Sequence, residues 1–392
     1  MRNIRTAVIG IGNMGSAHAA CILNGDIAGM TLSAVCDIDS DKRFRFAVAH
    51  PDILIYDDYL KMLENDNIDA VIIAVPHRLH ADIAERALEK GKHVLVEKPV
   101  DISVSKAIAL NAAARKYGSV FGIMFNQRTN PLFIKARELV KSGQLGELRS
   151  TVWIITNWFR TQSYYDSGDW RATWAGEGGG VLLNQAPHNL DLWQWICGMP
   201  ESVTAFCDVA KYHNIEVEDN AKLIVKYKNG AQGIFISSTG EYPGTNRLEI
   251  SGDLGKLVLE NGTLKWWRLN KSVDEVCKTS EEGFPKIPFE YSELKQEESE
   301  TAHRGILQNF ADAVLNGAKL IAPGTDGIYE LMLSNAAYLS EWKNNSEISI
   351  PFDAAEFDEL LSERVRGSKY ICGKSYGAPS GAYKERWKVK WE

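Results

Sequence analysis

The chain is 392 residues long, too much for one ordinary hydrophobic core and enough for two domains with an extension. Its 45% hydrophobic and 24% charged residues are globular composition, and a formal net charge of −7 leaves no surplus of cations to neutralise a nucleic-acid backbone. No apolar run approaches the roughly 18 residues of a membrane span, and Met1-Arg2-Asn3-Ile4-Arg5 leads straight into a short strand rather than a secretory signal core, so a cytoplasmic location is expected.

Strand and helix alternate at first. Residues 6–10 read as a strand, 16–24 as a helix, and 31–37 as a second strand ending on an acid. Residues 70–75 form an unbroken Ala/Val/Ile run, the mark of a strand covered on both faces. An amphipathic helix over 79–90 is closed by Gly91, a strand follows at 93–96, a helix at 103–117 stops at Gly118, and another strand lies at 120–124. This alternation predicts an α/β domain with a doubly wound parallel sheet over residues 1–125. A helix over 131–142 then precedes a mostly strand-like stretch from 146 to about 267, interrupted by one Gly-rich helix start. Strands at 223–227 and 231–237 flank the turn-forming Asn229-Gly230, and 248–252 with 256–260 form a second pair. A helical region spans 303–342. Residues 126–351 are therefore expected to form an α+β domain with a large, mainly antiparallel open sheet. Residues 352–392 are an extension: a helix near 354–366, then an aromatic, basic tail with Tyr383, Trp387 and Trp391. The six cysteines are scattered without a CxxC pair, which favours free thiols over disulfides and points to no metal site.

Gly10-Ile11-Gly12-Asn13-Met14-Gly15 follows a strand and opens a helix, and Asp37 ends the next strand about 22 residues later. A GxGxxG alone marks many plain turns; with the strand, the helix and the acid in place it is the dinucleotide fingerprint. Gly10 makes the tight turn, Gly12 admits the pyrophosphate, Gly15 packs the helix on the strand, and Asn13 and Met14 lie in the helix's first turn. A carboxylate at Asp37 accepts from a ribose 2′-OH and repels a 2′-phosphate. NAD is therefore favoured over NADP, although Lys42 and Arg43 stand close by.

Three further stretches resemble the glucose–fructose oxidoreductase / inositol dehydrogenase (Gfo/Idh/MocA) family over roughly residues 4–351. They are Ala74-Val75-Pro76-His77-Arg78-Leu79-His80, Gly91-Lys92-His93-Val94-Leu95-Val96-Glu97-Lys98-Pro99, and the run from Gly178-Gly179-Gly180 through Asn184 and His188 to Asp191. The resemblance implies an NAD-dependent dehydrogenase acting on a secondary hydroxyl of a sugar, sugar derivative or cyclitol. It places Pro76, His80, Glu97 and Lys98 at the cofactor, and Lys98 with His188 as the acid–base pair. It also implies a homodimer or homotetramer joined through the open sheet of the second domain. The residues agree: Lys98 falls at the carboxyl edge of a parallel sheet, where ligands of such sheets bind, and its pKa should fall beside a positive ring. Pro99 is suited to fixing the turn.

Asn184, His188 and Asp191 sit at i, i+4 and i+7, one face of a helix. His188 suits the removal of a hydroxyl proton. Asp191 either orients the histidine and substrate or merely caps and pairs. Asn184 stands where the family pattern has aspartate; it is either the helix N-cap or an uncharged substrate contact. Pro187 is tolerated in a first turn. Arg128, in Asn126-Gln127-Arg128, resembles a cleft-lining segment of the family. Trp158, Arg160, Trp170 and Arg171, with Tyr164, Tyr165 and Trp174, form either a carbohydrate-stacking wall or a set of core anchors. Two rival functions fit the same family pattern: a glycosidase that recycles bound NAD, and a non-catalytic NAD sensor, which would not need Lys98 and His188.

Overall fold

The computed structural model describes residues 3–168, 170–296 and 301–369. The aromatic, basic tail beyond 369 lies outside the described residues.

The N-terminal part runs β1 (Ile4–Ile9), α1 (Asn13–Leu23), β2 (Met30–Cys36), α2 (Ser40–Ala49), β3 (Leu54–Tyr56), α3 (Tyr59–Leu63), β4 (Ala70–Ile73), α4 (His80–Glu89), β5 (His93–Val96), α5 (Val104–Tyr117) and β6 (Phe121–Ile123). All six strands pair in parallel, in the order β3-β2-β1-β4-β5-β6. β4 is buried at every residue, as its continuous apolar run requires. The order reverses direction between β1 and β4, and the crevice beyond their carboxyl ends is the usual ligand position of such a sheet. β3 and α3 are too short to show a period in the sequence, whereas α2 carries Lys42 and Arg43, a helical pair despite having no buried residue.

The second part runs α6 (Pro131–Lys141), β7 (Leu148–Ile155), α7 (Gln162–Tyr165), α8 (Pro187–Cys197), β8 (Ser202–Val209), β9 (Glu218–Lys226), β10 (Gln232–Ser238), β11 (Asn246–Gly252), β12 (Gly255–Glu260), β13 (Thr263–Leu269), α9 (Val273–Thr279), β14 (Phe289–Lys295), α10 (Ala302–Asn316), α11 (Gly327–Trp342), β15 (Ile348–Ser349) and α12 (Ala354–Gly367). Among the described residues nine strands form one sheet, β14-β13-β12-β11-β7-β10-β9-β8-β15. Both expected hairpins are present, and β7–β10 is the parallel pair that makes the sheet mixed. α8 lies on its inner face: the Trp193 ring stacks on Phe235 at 5.5 Å, and its indole donates to Thr151 Oγ1 at 3.1 Å. The outer face turns Phe206, Ile224 and Ile234 to solvent.

The expected helical region over 303–342 is two helices. Gly317 closes α10 in the left-handed conformation at φ 68°, and Pro323 starts the turn into α11. The two helices also serve different neighbours. Gln308 of α10 bonds both the backbone N–H and the carbonyl of Ala28, and Ile123 N–H of β6 donates to Ala322 O. α11 packs on β8 and α8. Cys277 is exposed, unlike the buried thiols of Cys21, Cys36 and Cys207.

Candidate active site

The glycine turn is shaped as its spacing requires. Gly10 has φ 87°, and a Cβ there would fall 2.4 Å from Ala74 O, so no other residue fits between β1 and β4. A Cβ at Gly12 would meet nothing within 4 Å. Protein packing therefore does not demand that glycine, whereas a phosphate lying against the backbone would. α1 begins there, with Gly12 as its N-cap, so the glycine turn lies at a helix N-terminus, the end that favours a phosphate. Asp37 accepts from Ile11 N–H at 2.9 Å and from Asp39 N–H at 2.9 Å, which ties the acid at the end of β2 to the glycine turn. Lys42 Nζ is 3.7 Å from its carboxylate, and the Arg43 side chain donates to the Asp37 carbonyl at 2.7 Å. Asn13 and Met14 lie in the first turn of α1. These features fit a dinucleotide.

At the ends of β4 and β5, His80 fastens two loops together. Its ring nitrogens lie 2.6 Å from Pro99 O and 2.8 Å from Val75 O, so His80 braces the edge beside Pro76 and has no ring nitrogen left over for a ligand. Glu97 Oε1 takes a 2.7 Å bond from His18 of α1. Burial pushes the Glu97 carboxyl up, but His18, His303 and Lys98 outweigh it and hold the pKa at about 2, so Glu97 stays ionised. His303 stands 5.9 Å from His18, ring to ring, and burial drives it down to about 4. The Lys98–Pro99 peptide is cis.

Lys98 reaches across to the second sheet's segment: Nζ donates to the backbone carbonyl of Asn184 at 2.9 Å. Burial lowers its pKa from 10.5, opposed by Glu97, Glu330 and Glu177. The same segment is pinned elsewhere by Arg78, which donates to Ala175 O at 3.0 Å, and by His77 Nδ1 at 3.2 Å from Glu177 O. The triple glycine then turns tightly. A Cβ at Gly180 would fall 1.9 Å from Glu218 O, and Glu218 accepts from Gly180 N–H at 2.8 Å, Leu182 N–H at 2.9 Å and the Tyr338 hydroxyl at 2.8 Å.

α8 starts only at Pro187, with Ala186 as its N-cap and no capping side chain. Asn184 therefore lies outside the helix and is not its cap, and the expected i, i+4, i+7 face does not include it. Its amide donates instead to Glu177 and, at 3.4 Å, to the Tyr164 hydroxyl. Glu177 is buried; desolvation raises its pKa, while Arg171 at 3.8 Å, Ala172 N–H and Asn184 pull it back. His188, in the first turn of α8, has its Nδ1 buried with no hydrogen-bond partner among the described residues. Burial, with Lys98 and His303 adding, pushes its pKa well below 6.5, so the ring is neutral.

Asp191 does not orient His188. It accepts a two-pronged bond from Arg128, Nε at 2.8 Å and Nη2 at 2.7 Å, and Arg128 Nη1 holds Asp326 at 2.7 Å. Arg128 is 1% exposed. It therefore knits α8 to the segments around residues 126–129 and 326 instead of lining the cleft. The aromatic group divides. Trp174 packs on Tyr338 and Trp342, and the Tyr165 hydroxyl meets Thr239 at 2.8 Å, so these two are core anchors. Arg160 and Arg171 sit over the Tyr164 ring at 5.0 and 4.7 Å; Arg160 also lies 5.8 Å from Trp158, and Arg171 lies 4.6 Å from Trp170. All five are half-buried, with Trp158 and Tyr164 packed against the core, and are the candidates for a sugar-facing wall.

Residues 4–125 match the family described as "Oxidoreductase family, NAD-binding Rossmann fold", and residues 133–258 match the "GFO/IDH/MocA C-terminal domain". The chain belongs to the Gfo/Idh/MocA family. It is thus an NAD-binding oxidoreductase. Among similar proteins are the uncharacterised oxidoreductase YrbE of Bacillus subtilis, 25% identical over 86% of this chain and 94% of that one, and scyllo-inositol 2-dehydrogenase (NAD(+)) of the same organism, 25% identical over 85% and 93%. The WlbA dehydrogenase of Bordetella pertussis, solved with NADH and UDP-GlcNAcA, shares the fold at 24% identity and a TM-score of 0.74, covering 90% of this chain and all 100% of its own. No helix among the described residues is long and apolar enough to cross a membrane.

His18, Glu177, Glu218, His303 and Glu330 of this site were not singled out from the sequence. Only His18 had a usable signal, three residues past the glycine turn on a helix whose inner face must meet the sheet.

Proposed function

We propose that this member of the family reversibly oxidises a secondary hydroxyl of a sugar, sugar derivative or cyclitol, with NAD as the hydride acceptor. The observation that carries this reading is that Lys98, just past the carboxyl end of β5, acts electrostatically on His188 in the first turn of α8. Lys98 is fastened to the Asn184 carbonyl, and His188 keeps a neutral ring whose buried Nδ1 has no partner among the described residues. With the pyrophosphate held at the glycine turn and a ribose at Asp37, the dinucleotide's nicotinamide would supply the hydride-accepting carbon. The neutral His188 imidazole accepts the hydroxyl proton as the C–H bond is lost. Lys98 donates to the same oxygen and stabilises the developing alkoxide, an effect strengthened by its burial. Trp158, Arg160, Tyr164, Trp170 and Arg171 orient the remaining hydroxyls by stacking and hydrogen bonding. The 3.7 Å Lys42–Asp37 pair keeps the preference for NAD a moderate one. We further read the solvent-facing Phe206, Ile224 and Ile234 as the surface that forms a homodimer or homotetramer; a monomer in sedimentation would overturn that.

An NAD-reduction screen across inositols, aldoses, anhydrosugars and glycosides tests the activity. A dehydrogenase accumulates NADH with at least one polyol. Glycoside cleavage without net NADH would replace the reading by a recycling glycosidase, and saturable NAD binding with no turnover of any class would refute it.

A further inference from the structure

Glu330 lies on α11 with no exposed surface, and neither carboxyl oxygen has a hydrogen-bond partner among the described residues. Buried polar groups are almost always paired, and leucine or methionine would fill this helix position without the penalty. Its neighbours Leu331, Leu333 and Ser334 are equally buried. The turn of α11 that carries it is pressed on the loop after Lys98: a Cβ at Gly327 would come within 2.7 Å of Val100 and 2.8 Å of Ile123. The charged groups that act on it from the surrounding elements are Lys98, which attracts it, and Asp191, which repels it. Asp191 is itself closed by Arg128, which also holds Asp326.

Burial raises the Glu330 carboxyl well above its ordinary range and lowers the Lys98 amine, so each leans towards its neutral form. Each also acts on the other's charge, Glu330 raising the Lys98 pKa and Lys98 lowering that of Glu330. A protonated Glu330 beside an ammonium is the combination with an excess positive charge, and a second positive charge in the cleft disfavours it most.

We propose that Glu330 is a positioning residue for charge around Lys98, a buried acid that releases its proton to solvent when the positively charged nicotinamide enters the cleft and regains it when the ring is reduced. The inference rests on the NAD reading of the glycine turn. Only the Glu330 O–H bond is made or broken in this exchange.

The test is calorimetry of the full chain with oxidised and with reduced nicotinamide dinucleotide at pH 7, in two buffers of different ionisation heat. The unmodified protein should release a sizeable fraction of one proton on binding the oxidised form and much less on binding the reduced form. Glu330→Gln should abolish that difference and weaken the oxidised form relative to the reduced one by about three- to tenfold, the scale of one charge acting across a partly screened interior. Glu330→Leu, which removes the orphan polar atoms altogether, should also lose the difference while folding at least as stably. Equal proton release with both cofactor forms would overturn the proposal, as would a wild-type difference that survives in either variant, since Lys98 alone would then carry the proton. Failure of the unmodified protein to bind either form would instead remove the NAD reading on which it rests.

Discussion

Glu218 is the carboxylate on which the triple-glycine turn hangs, and it makes a pH-dependent contribution that can be isolated. Burial pushes its pKa from the ordinary 4.5 to about 7, even though Leu182 N–H, the Tyr338 hydroxyl and Gly180 N–H all favour the ionised form. A carboxyl whose folded pKa is raised contributes stability fully below the unfolded value and loses it as pH rises through the folded one. At about 1.4 kcal/mol per pH unit, the lift to about 7 corresponds to roughly 3 kcal/mol lost between pH 4.5 and 7. Glu218→Gln cannot titrate. Its amide must face at least one of the three donors, a fixed cost of about 1–3 kcal/mol at any pH. The assay is urea unfolding of both proteins at pH 4.5, 6 and 8. The wild-type advantage over the variant should shrink by about 3 kcal/mol across that range, so that the two curves converge or cross. Parallel stability curves, within about 0.5 kcal/mol throughout, would refute the argument and show that the three N–H and O–H donors outweigh burial.

Lys98→Met should leave NAD binding within about threefold and lower kcat by two or more decades, the scale of losing a positioned proton-handling group; stopped-flow NADH formation checks it, and kcat within threefold of wild type would remove Lys98 from the chemistry. Asn184→Asp, which would be harmless at a helix cap, here sets a second carboxyl against Glu177 in place of an amide donor, so one of the two must stay protonated. Its thermal stability should fall as pH rises from 5 to 8 relative to wild type, and an unchanged pH dependence would contradict the placement of Asn184. Arg128→Met should cost about 3–5 kcal/mol in chemical unfolding by leaving Asp191 buried without its cation, and a loss below 1 kcal/mol would show that Asp191 simply takes a proton.

The parts legible in the sequence were those whose signal is local. The glycine turn, Asp37 and the Lys98 strand end each lie within one strand–loop–helix unit, and the period-two and period-3.6 patterns around them had one reading. The start of α8 was misread because Gly178 to Gly180 look like a helix entry, whereas Glu218 draws that turn into a tight loop and delays the helix to Pro187. Arg128 looked like a cleft residue because its acids are remote: Asp191 is 63 positions away and Asp326 is 198. Glu177, Glu218 and Glu330 read as ordinary acids, since nothing in a sequence distinguishes a solvated carboxylate from one enclosed by elements that meet only in the fold. The parallel β7–β10 pair was hidden for the same reason, as the hairpin signal at Asn229-Gly230 reports only its antiparallel neighbour.

The bond from Lys98 to the Asn184 carbonyl spans 86 residues of chain and ends on main-chain oxygen, an acceptor that no side-chain substitution at position 184 deletes. An ammonium has three N–H groups. With one anchored, a flexible four-carbon stem becomes a pivoted donor whose other two N–H directions are confined to a cone about that bond. If Lys98 serves the hydroxyl as proposed, the disorder normally lost in orienting the arm has already been removed during folding. Arginine would keep the charge but not the pivot, because its planar fork distributes donors in one plane rather than around a point.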